Sequence, residues 1–442
     1  MLGLKSKTNQ SKTFFTNLFH TKTKYNYDWY LISLIVMLVT IGLAFLASSL
    51  SPQAFIIYQS EWLKQFFFGG WIGGGLCLFI ARTDYHYWFQ KSRLLLWVTV
   101  GSLLFLFCFV AFSFVTHISL TTILKAVNFS PIKPYFANGA LRWISISFLP
   151  NFQPAELAKL SLLIYLGSFV QKFSNQKESI TWSNLKRPLW IIAGTFLLIL
   201  VQPDLGSVII ASVILGSGLI VARVPFKIIG TLSVFMVITS LFFISLYSYR
   251  AQRVSTFLDF FNSSSAACTN DQASNQNFQV CQTRQAIISG GLYGKGYGNS
   301  SAKQDNLIPE ITTDAILAVI GEETGFIGTL GLMIIYFLIF MRGMRAAKLA
   351  PDLGGRVLAT GISVWIVAQA FINIAGITGL IPLKGTALPF ISSGGTALVL
   401  NLIACGVLFN VSSQAKVTSK NKFAQISQAF PRSGFSIHKK HA

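Results

Sequence analysis

Residues 188–222 read PLWIIAGTFLLILVQPDLGSVIIASVILGSGLIVA. Whether this stretch crosses a membrane once or twice fixes the topology of everything after it. It contains two apolar runs, 188–202 and 206–222, parted by Gln202-Pro-Asp-Leu-Gly206. A bilayer core takes about 20 residues of helix, so both runs are short and together they also admit one broken span. Counted as two, they bring the chain to ten apolar stretches, near 28–50, 65–82, 94–115, 154–171, 188–202, 206–222, 226–247, 314–341, 356–380 and 396–412.

Charge decides the parity. With ten spans and a cytoplasmic N-terminus, the inner segments are 1–27, 82–93, 171–187, 223–227, 342–356 and 413–442, and they hold 24 of the 35 Lys and Arg residues. That is the bias expected of inner segments. Merging spans five and six would carry the basic 342–356 loop and the C-terminal tail outside, so the stretch reads as two spans. Of the 442 residues, 52% are hydrophobic and 11% charged, with mean hydropathy +0.58; soluble chains carry about twice that charged fraction. The fold class expected is an all-α polytopic membrane protein with ten transmembrane helices and a large extracytoplasmic loop, 248–313, between spans 7 and 8.

The net charge of +21 is then a topology signal and a source of attraction to anionic inner-leaflet lipids. No folded soluble domain presents a basic face, which excludes nucleic acid as a partner. The polar, basic tails 1–27 and 413–442 are too poor in apolar residues to fold alone and are read as cytoplasmic. Residues 28–412 form one membrane domain without an internal repeat. No cleavable signal precedes the first run, which is long enough to remain in the membrane. Cys77, Cys108 and Cys405 fall in spans, whereas Cys268 and Cys281 share the outer loop. An oxidising exterior permits a disulfide between those two; two free thiols are the alternative.

Several polar clusters stand against this apolar background. In Ile308-Pro-Glu-Ile-Thr-Thr-Asp-Ala315, Asp314 closes a polar outer loop and opens a long apolar helix. It fits a helix N-cap or first-turn carboxylate, and the same position favours the ionised form a general base requires. Glu310 lies nearby, and Glu322 and Glu323 lie deeper, where they pair or line a cavity. In Gln153-Pro-Ala-Glu-Leu-Ala-Lys159, Pro154 suits a first helical turn, and Glu156 and Lys159 share one helix face. They form a structural ion pair, or Lys159 also faces a polar cavity. Asp204 caps the sixth span or contacts a ligand or metal. Gly290-Gly-Leu-Tyr-Gly-Lys-Gly-Tyr-Gly298 lacks the strand–loop–helix context of a nucleotide loop and reads as backbone able to turn tightly beside a bulky ligand. Leu383-Lys-Gly-Thr-Ala-Leu-Pro-Phe-Ile-Ser-Ser-Gly-Gly-Thr396 offers Lys384 as a cation and Ser392, Gly394 and Gly395 as hydroxyl and amides for an anion such as pyrophosphate, or is an ordinary turn into a helix. No His/Cys cluster has zinc spacing.

These segments, in this order and together with Asn138-Gly-Ala-Leu-Arg-Trp143, Gly321-Glu-Glu323 and Leu388-Pro-Phe-Ile-Ser-Ser-Gly-Gly395, resemble the SEDS family of cell-wall polymerases, the FtsW/RodA proteins, over roughly residues 28–412. The resemblance implies a peptidoglycan glycosyltransferase polymerising lipid II, a disaccharide-peptide on undecaprenyl pyrophosphate, at the outer face of a bacterial cytoplasmic membrane. Asp314 falls on the family's catalytic aspartate. Arg142, Glu156, Lys159, Asp204, Arg253, Lys295, Glu310, Lys384, Ser392, Gly394 and Gly395 are the candidate substrate contacts. The resemblance leaves room for a divalent cation, Mg or Mn, with no evident ligand set and no other cofactor.

The implied partners are a class B penicillin-binding transpeptidase and other divisome membrane proteins. Lys384 in Pro382-Leu-Lys-Gly385 looks more like the division branch (FtsW) than the elongation branch (RodA). A lipid II flippase is the rival from a different class. The chain departs from the family where His-Thr-Asp-Phe becomes Thr312-Thr-Asp-Ala315, where a tyrosine becomes Ser393, and where a serine becomes Ala155.

Overall fold

In hydrocarbon every backbone N–H and C=O must be satisfied within the protein, which drives long apolar runs into helices. The computed structural model describes residues 26–49, 62–116, 122, 124, 131–137, 140–146, 149–176, 178, 180–246, 275–301, 303, 311–382 and 385–429. Its helices are α1 (Trp29–Ser49), α2 (Trp62–Arg82), α3 (Tyr85–Thr116), α4 (Pro154–Gln176), α5 (Trp182–Val201) and α6 (Leu205–Val221). They continue with α7 (Phe226–Leu246), α8 (Asn275–Ser289), α9 (Ile316–Leu349), α10 (Leu353–Ile377) and α11 (Gly395–Ala429).

Among the described residues seven helices are long and apolar enough to cross a membrane: α1, α2, α3, α5, α9, α10 and the 395–415 part of α11. Helix α6 and residues 226–240 of α7 are shorter apolar helices. Helix α4 falls outside both groups because Glu156 and Lys159 dilute its apolar content. The chain is a mostly helical, multi-pass membrane protein.

The structure differs from the sequence reading at several points, among them the start of α3 at Tyr85 rather than 94 and the end of α9 at Leu349 rather than 341. The chain is not all-α: Ile132–Ala137 (β1) and Ala140–Ile146 (β2) pair antiparallel, with Tyr135 opposite Trp143. Leu141 and Ile144 of β2 are buried on the end of α3 beside Leu106. The signal for this hairpin was Asn138-Gly139 between two apolar-rich runs. Helix α5 starts at Trp182, six residues before Pro188. Helix α11 runs to Ala429, well into the segment read as a tail.

Helices α10 and α11 form the interior, their apolar windows being 67% and 72% buried against 22–39% for the other membrane-length helices. Helix α10 packs on α9, α6 and α4, and α11 packs on α2. Lipid supplies little hydrophobic drive between helices, so close backbone approach matters. At Gly406 of α11 a Cβ would stand 2.5 Å from the Cys77 carbonyl oxygen of α2, a contact only glycine permits.

The two ends of the bundle are held differently. At one end Arg342 makes a forked pair with Asp28, with Nη2–Oδ1 2.6 Å. At the same end His86 bridges Asp84 (2.7 Å) and Asp352 (2.8 Å), and Tyr85 Oη donates to Asp352 (2.5 Å). Burial alone would raise the Asp352 carboxyl, but hydrogen bonds from His86, Tyr85 and the Gly355 amide outweigh it and hold the group below the usual carboxylate range. This clasp ties the α2–α3 turn to the start of α10, and Gln414 of α11 reaches Asp84 as well. The opposite end carries the hairpin, the starts of α4, α6, α9 and α11, and the candidate site.

Candidate active site

Asp314 lies in the turn 311–315, one residue ahead of Ala315, which occupies the N-cap of α9 without a side-chain cap bond. The carboxylate is half-buried and rests against Gly385: a Cβ on that glycine would come 2.7 Å from Asp314 Oδ2. The segment 385–394 is therefore the floor beneath the acid. Ser393 N donates to the Thr312 carbonyl (2.8 Å), so the turn and the floor are also joined main chain to main chain.

Side-chain amides and hydroxyls fix that floor. Gln65, 3% exposed, donates to the Ser392 carbonyl (3.1 Å) and accepts from Gly394 N (3.2 Å). It opens the π-helical stretch Gln65–Ile72 inside α2, a distortion that often marks functional sites. Gln369 Nε2 donates to the Ala387 carbonyl (2.9 Å), and Asn373 Nδ2 to those of Thr386 (2.6 Å) and Asp314 (2.9 Å). Tyr336 Oη donates to the Pro389 carbonyl (2.6 Å).

Lys159 is 1% exposed, donates to Glu156 Oε1 (2.7 Å) and Gln369 Oε1 (2.9 Å), and sits 4.8 Å from the Trp365 ring centre. The pair expected from its i,i+3 spacing is thus wired through Gln369 to the floor under Asp314. Glu156 Oε2, Asn373 Oδ1 and Thr386 Oγ1 are buried and lack a hydrogen-bond partner among the described residues.

Asp204 caps α6, accepting from Ser207 N (3.1 Å) and Oγ (2.7 Å) and from Gln153 Nε2 (3.1 Å). Arg142, on β2, donates to the carbonyls of Gln202 (3.3 Å) and Pro203 (2.6 Å), docking the hairpin on the α5–α6 turn.

The glycine-rich stretch turns tightly, with positive φ at Gly291, Gly294, Gly296 and Gly298, and lies against α9. Helix α9 is broken at Gly325 (φ 67°). The carbonyls of Glu322 and Glu323 accept from Lys295 N (2.9 Å) and Gly296 N (3.0 Å), and the amides of Phe326 and Ile327 donate to the Gly291 (2.9 Å) and Leu292 (3.2 Å) carbonyls. The glycines let this backbone lie against the break: a Cβ on Gly294 would stand 2.2 Å from the Glu323 carbonyl oxygen. Glu322 and Glu323, 0% and 2% exposed, hold the same loop. Glu322 takes Lys295 (2.5 Å), Ser300 (2.6 Å) and Ser301, and Glu323 takes Lys303 and Ser48 (2.8 Å).

The structure therefore gathers Asp314, Glu156, Lys159 and the 385–394 floor around one end of α10, with Asp204 and Arg142 on the neighbouring turn. Lys295 belongs to the loop that braces α9. Ser392 accepts from Leu388 N (2.7 Å) within the floor, and the Gly394 amide proposed for an anion already bonds Gln65. At Gly395 a Cβ would meet Pro150 at 2.6 Å. Arg253, Glu310, Lys384 and Cys268 lie outside the described residues; Cys281 is disulfide-bonded. Gln65, Gln369, Asn373 and Lys303 were not read from the sequence.

A multi-pass helical membrane protein with a carboxylate on a braced floor at the mouth of the bundle is the class this fold and site define. The family model described as cell cycle protein, FtsW/RodA/SpoVE, matches residues 28–417, and the chain belongs to that family. It is 30% identical to a protein of Buchnera aphidicola subsp. Acyrthosiphon pisum named a probable peptidoglycan glycosyltransferase FtsW, covering 98% of this chain and 99% of that one. It is 32% identical to stage V sporulation protein E of Bacillus subtilis, covering 90% and 100%. Among solved structures, a peptidoglycan synthase complex coordinating polymerisation and crosslinking matches with TM-score 0.66 and 23% identity, over 88% of this chain and 98% of that one. The rod shape determining protein RodA of Thermus thermophilus matches with TM-score 0.57 and 22% identity, over 88% and 97%. These two likenesses concern the fold.

Proposed function

We propose that this chain is a peptidoglycan glycosyltransferase of the division type, polymerising lipid II at the outer face of the bacterial cytoplasmic membrane. The observation that carries the reading is Asp314, half-buried against Gly385 at the bundle mouth within the segment that matches the family. In this reading ten helices, α1 to α7 and α9 to α11, cross the bilayer with both termini cytoplasmic, and the distribution of Lys and Arg supports that orientation. The end holding Asp314 then faces outward.

Asp314 takes the proton from the acceptor sugar's 4-hydroxyl as that oxygen attacks the anomeric carbon of the donor. The bond from that carbon to pyrophosphate breaks, undecaprenyl pyrophosphate departs with the electron pair, and attack from the opposite face turns an α-linked donor into a β-linked product. Preorganised groups aimed at developing charge supply much of such catalysis; Lys384, Arg142 and Lys159 are the candidate cations. Among the described residues no group of three His, Cys, Asp or Glu side chains gathers for a metal, and no step is routed through one. A class B transpeptidase is the proposed partner, consuming the glycan strand as it forms.

Glycan-chain formation from labelled lipid II, with the purified chain and its transpeptidase, tests this. Wild type yields polymer, and Asp314→Ala and Asp314→Asn yield almost none while keeping their extraction yield and melting temperature. Undiminished polymer from both variants rejects Asp314 as the base. Transbilayer movement of lipid II without any polymer favours a flippase. The break in α9 invites that rival, since transporters use interrupted helices, but its freed backbone groups bond the 290–298 loop.

A further inference from the structure

Asn373 lies four residues beyond Gln369 on α10, so the two carboxamides share one helix face. Both address the floor beneath Asp314. Gln369 reaches one carbonyl of it, whereas Asn373 reaches across the junction: its single Nδ2 donates to the Asp314 carbonyl (2.9 Å) and to the Thr386 carbonyl (2.6 Å). Asn373 is 2% exposed, and both of its protons are spent on this junction. Thr386 is the neighbour of Gly385, the residue whose missing Cβ makes room for the Asp314 carboxylate. Beside the main-chain bond from Ser393 to Thr312, this one side chain therefore joins the acid's own backbone to the residue next to Gly385. Its other atom, Oδ1, is buried without a hydrogen-bond partner among the described residues, as is Thr386 Oγ1.

We infer that Asn373 is the positioning residue for Asp314, stapling the turn 311–315 to the segment 385–394 so that the carboxylate stays aimed at the acceptor hydroxyl. It does not touch the reacting atoms. The inference rests on the reading of Asp314 as general base, and a displacement of about 1 Å at a catalytic group is enough to cost about 100-fold in rate. Leucine matches asparagine in shape without its donors, so Asn373→Leu removes the bonds to the Asp314 and Thr386 carbonyls and leaves the junction on the Ser393–Thr312 bond.

The test measures lipid II polymerisation with the full chain and its transpeptidase. Asn373→Leu should lower kcat at least tenfold and leave KM within about twofold, because Asn373 is 2% exposed and spends its donors on the backbone. Gly385→Ala pushes on the same carboxylate from the other side and should lower kcat as well, and the double variant should be no slower than the slower single. In an Asp314→Asn background, Asn373→Leu should change nothing further. If Asn373→Leu is lost from the membrane, Asn373→Ser replaces it; serine is too short to span both carbonyls and should show the same kcat loss. Unchanged kcat in the variant measured, additive losses with Gly385→Ala, or a further loss in the Asp314→Asn background overturns the inference. Failure of Asp314 itself shows separately, as full activity in Asp314→Asn alone.

Discussion

A cation 1% exposed inside a membrane bundle persists only with partners on every side, and Lys159 has Glu156, Gln369 and the face of Trp365. Taking either charge out of water is costly, and the pair repays that cost only while both members are present. Lys159→Met removes the cation and leaves Glu156 buried and ionic, with Oε2 already lacking a partner. We expect a loss of about 3–5 kcal/mol, the range for breaking one side of a buried pair, read as a lowered unfolding midpoint in detergent. Glu156→Leu combined with Lys159→Met removes both charges and should recover most of that loss, since an apolar replacement of a buried pair is often neutral. A double variant as unstable as Lys159→Met would mean that the lysine holds the bundle through Gln369 and Trp365 rather than through its counter-charge. The same arithmetic explains why Glu322 and Glu323 are paired with Lys295 and Lys303: a fully buried carboxylate at this end is tolerated because a lysine from the adjoining loop neutralises it.

Helix α9 shows how an element can be broken without cost to its backbone bonding. Its two halves meet at Gly325, where φ is 67°, and an added Cβ would stand 2.5 Å from Gly294 N and 2.6 Å from the Leu292 carbonyl oxygen. Gly325→Ala combines a left-handed backbone, worth roughly 1–3 kcal/mol for a non-glycine residue, with a clash against backbone that cannot yield. The loop 290–298 should separate from α9, seen as faster proteolysis and hydrogen exchange across 290–301. Gly331→Ala on the same helix meets nothing within 4 Å and serves as the control, with protection unchanged. Equal protection in both variants would refute the bracing role of the loop.

This element also marks the limit of what sequence conveys. The i,i+3 pair of Glu156 and Lys159 and the cap at Asp204 are local, and their spacing displayed them. The glycines of 290–298 were visible, but their partner is a break 30 residues downstream that no pattern in α9 announces. Gln65 lies 329 residues from Gly394 in sequence, so its role appears only when α2 and α11 are packed together. The substitutions at Thr312 and Ser393 looked like losses from the family motif. In the fold these two residues meet through main-chain atoms, the Ser393 amide on the Thr312 carbonyl, and that bond is indifferent to the side chains.

At the scale of the whole molecule the question is which end faces out, because Asp314 can serve an extracytoplasmic lipid-linked sugar only from there. Two independent features agree. Lys and Arg crowd the segments at the end with the Asp84–His86–Asp352 clasp, as cytoplasmic segments do, and Cys281, in α8 at the end near Asp314, is disulfide-bonded, which an oxidising compartment sustains. Leu292, 62% exposed on the glycine-rich loop that bonds α9 at its break, and Lys348, exposed in the last turn of α9, lie toward opposite ends of the bundle. In a Cys108→Ala background, with Cys77 and Cys405 buried, a membrane-impermeant maleimide should label Leu292→Cys in intact cells at once and Lys348→Cys only after the membrane is opened. Cys281 should stay unlabelled in both until reductant is added. Immediate labelling of Lys348→Cys with protection of Leu292→Cys would turn the bundle over, place Asp314 in the cytosol, and remove the carboxylate from any lipid-linked sugar presented on the outer face.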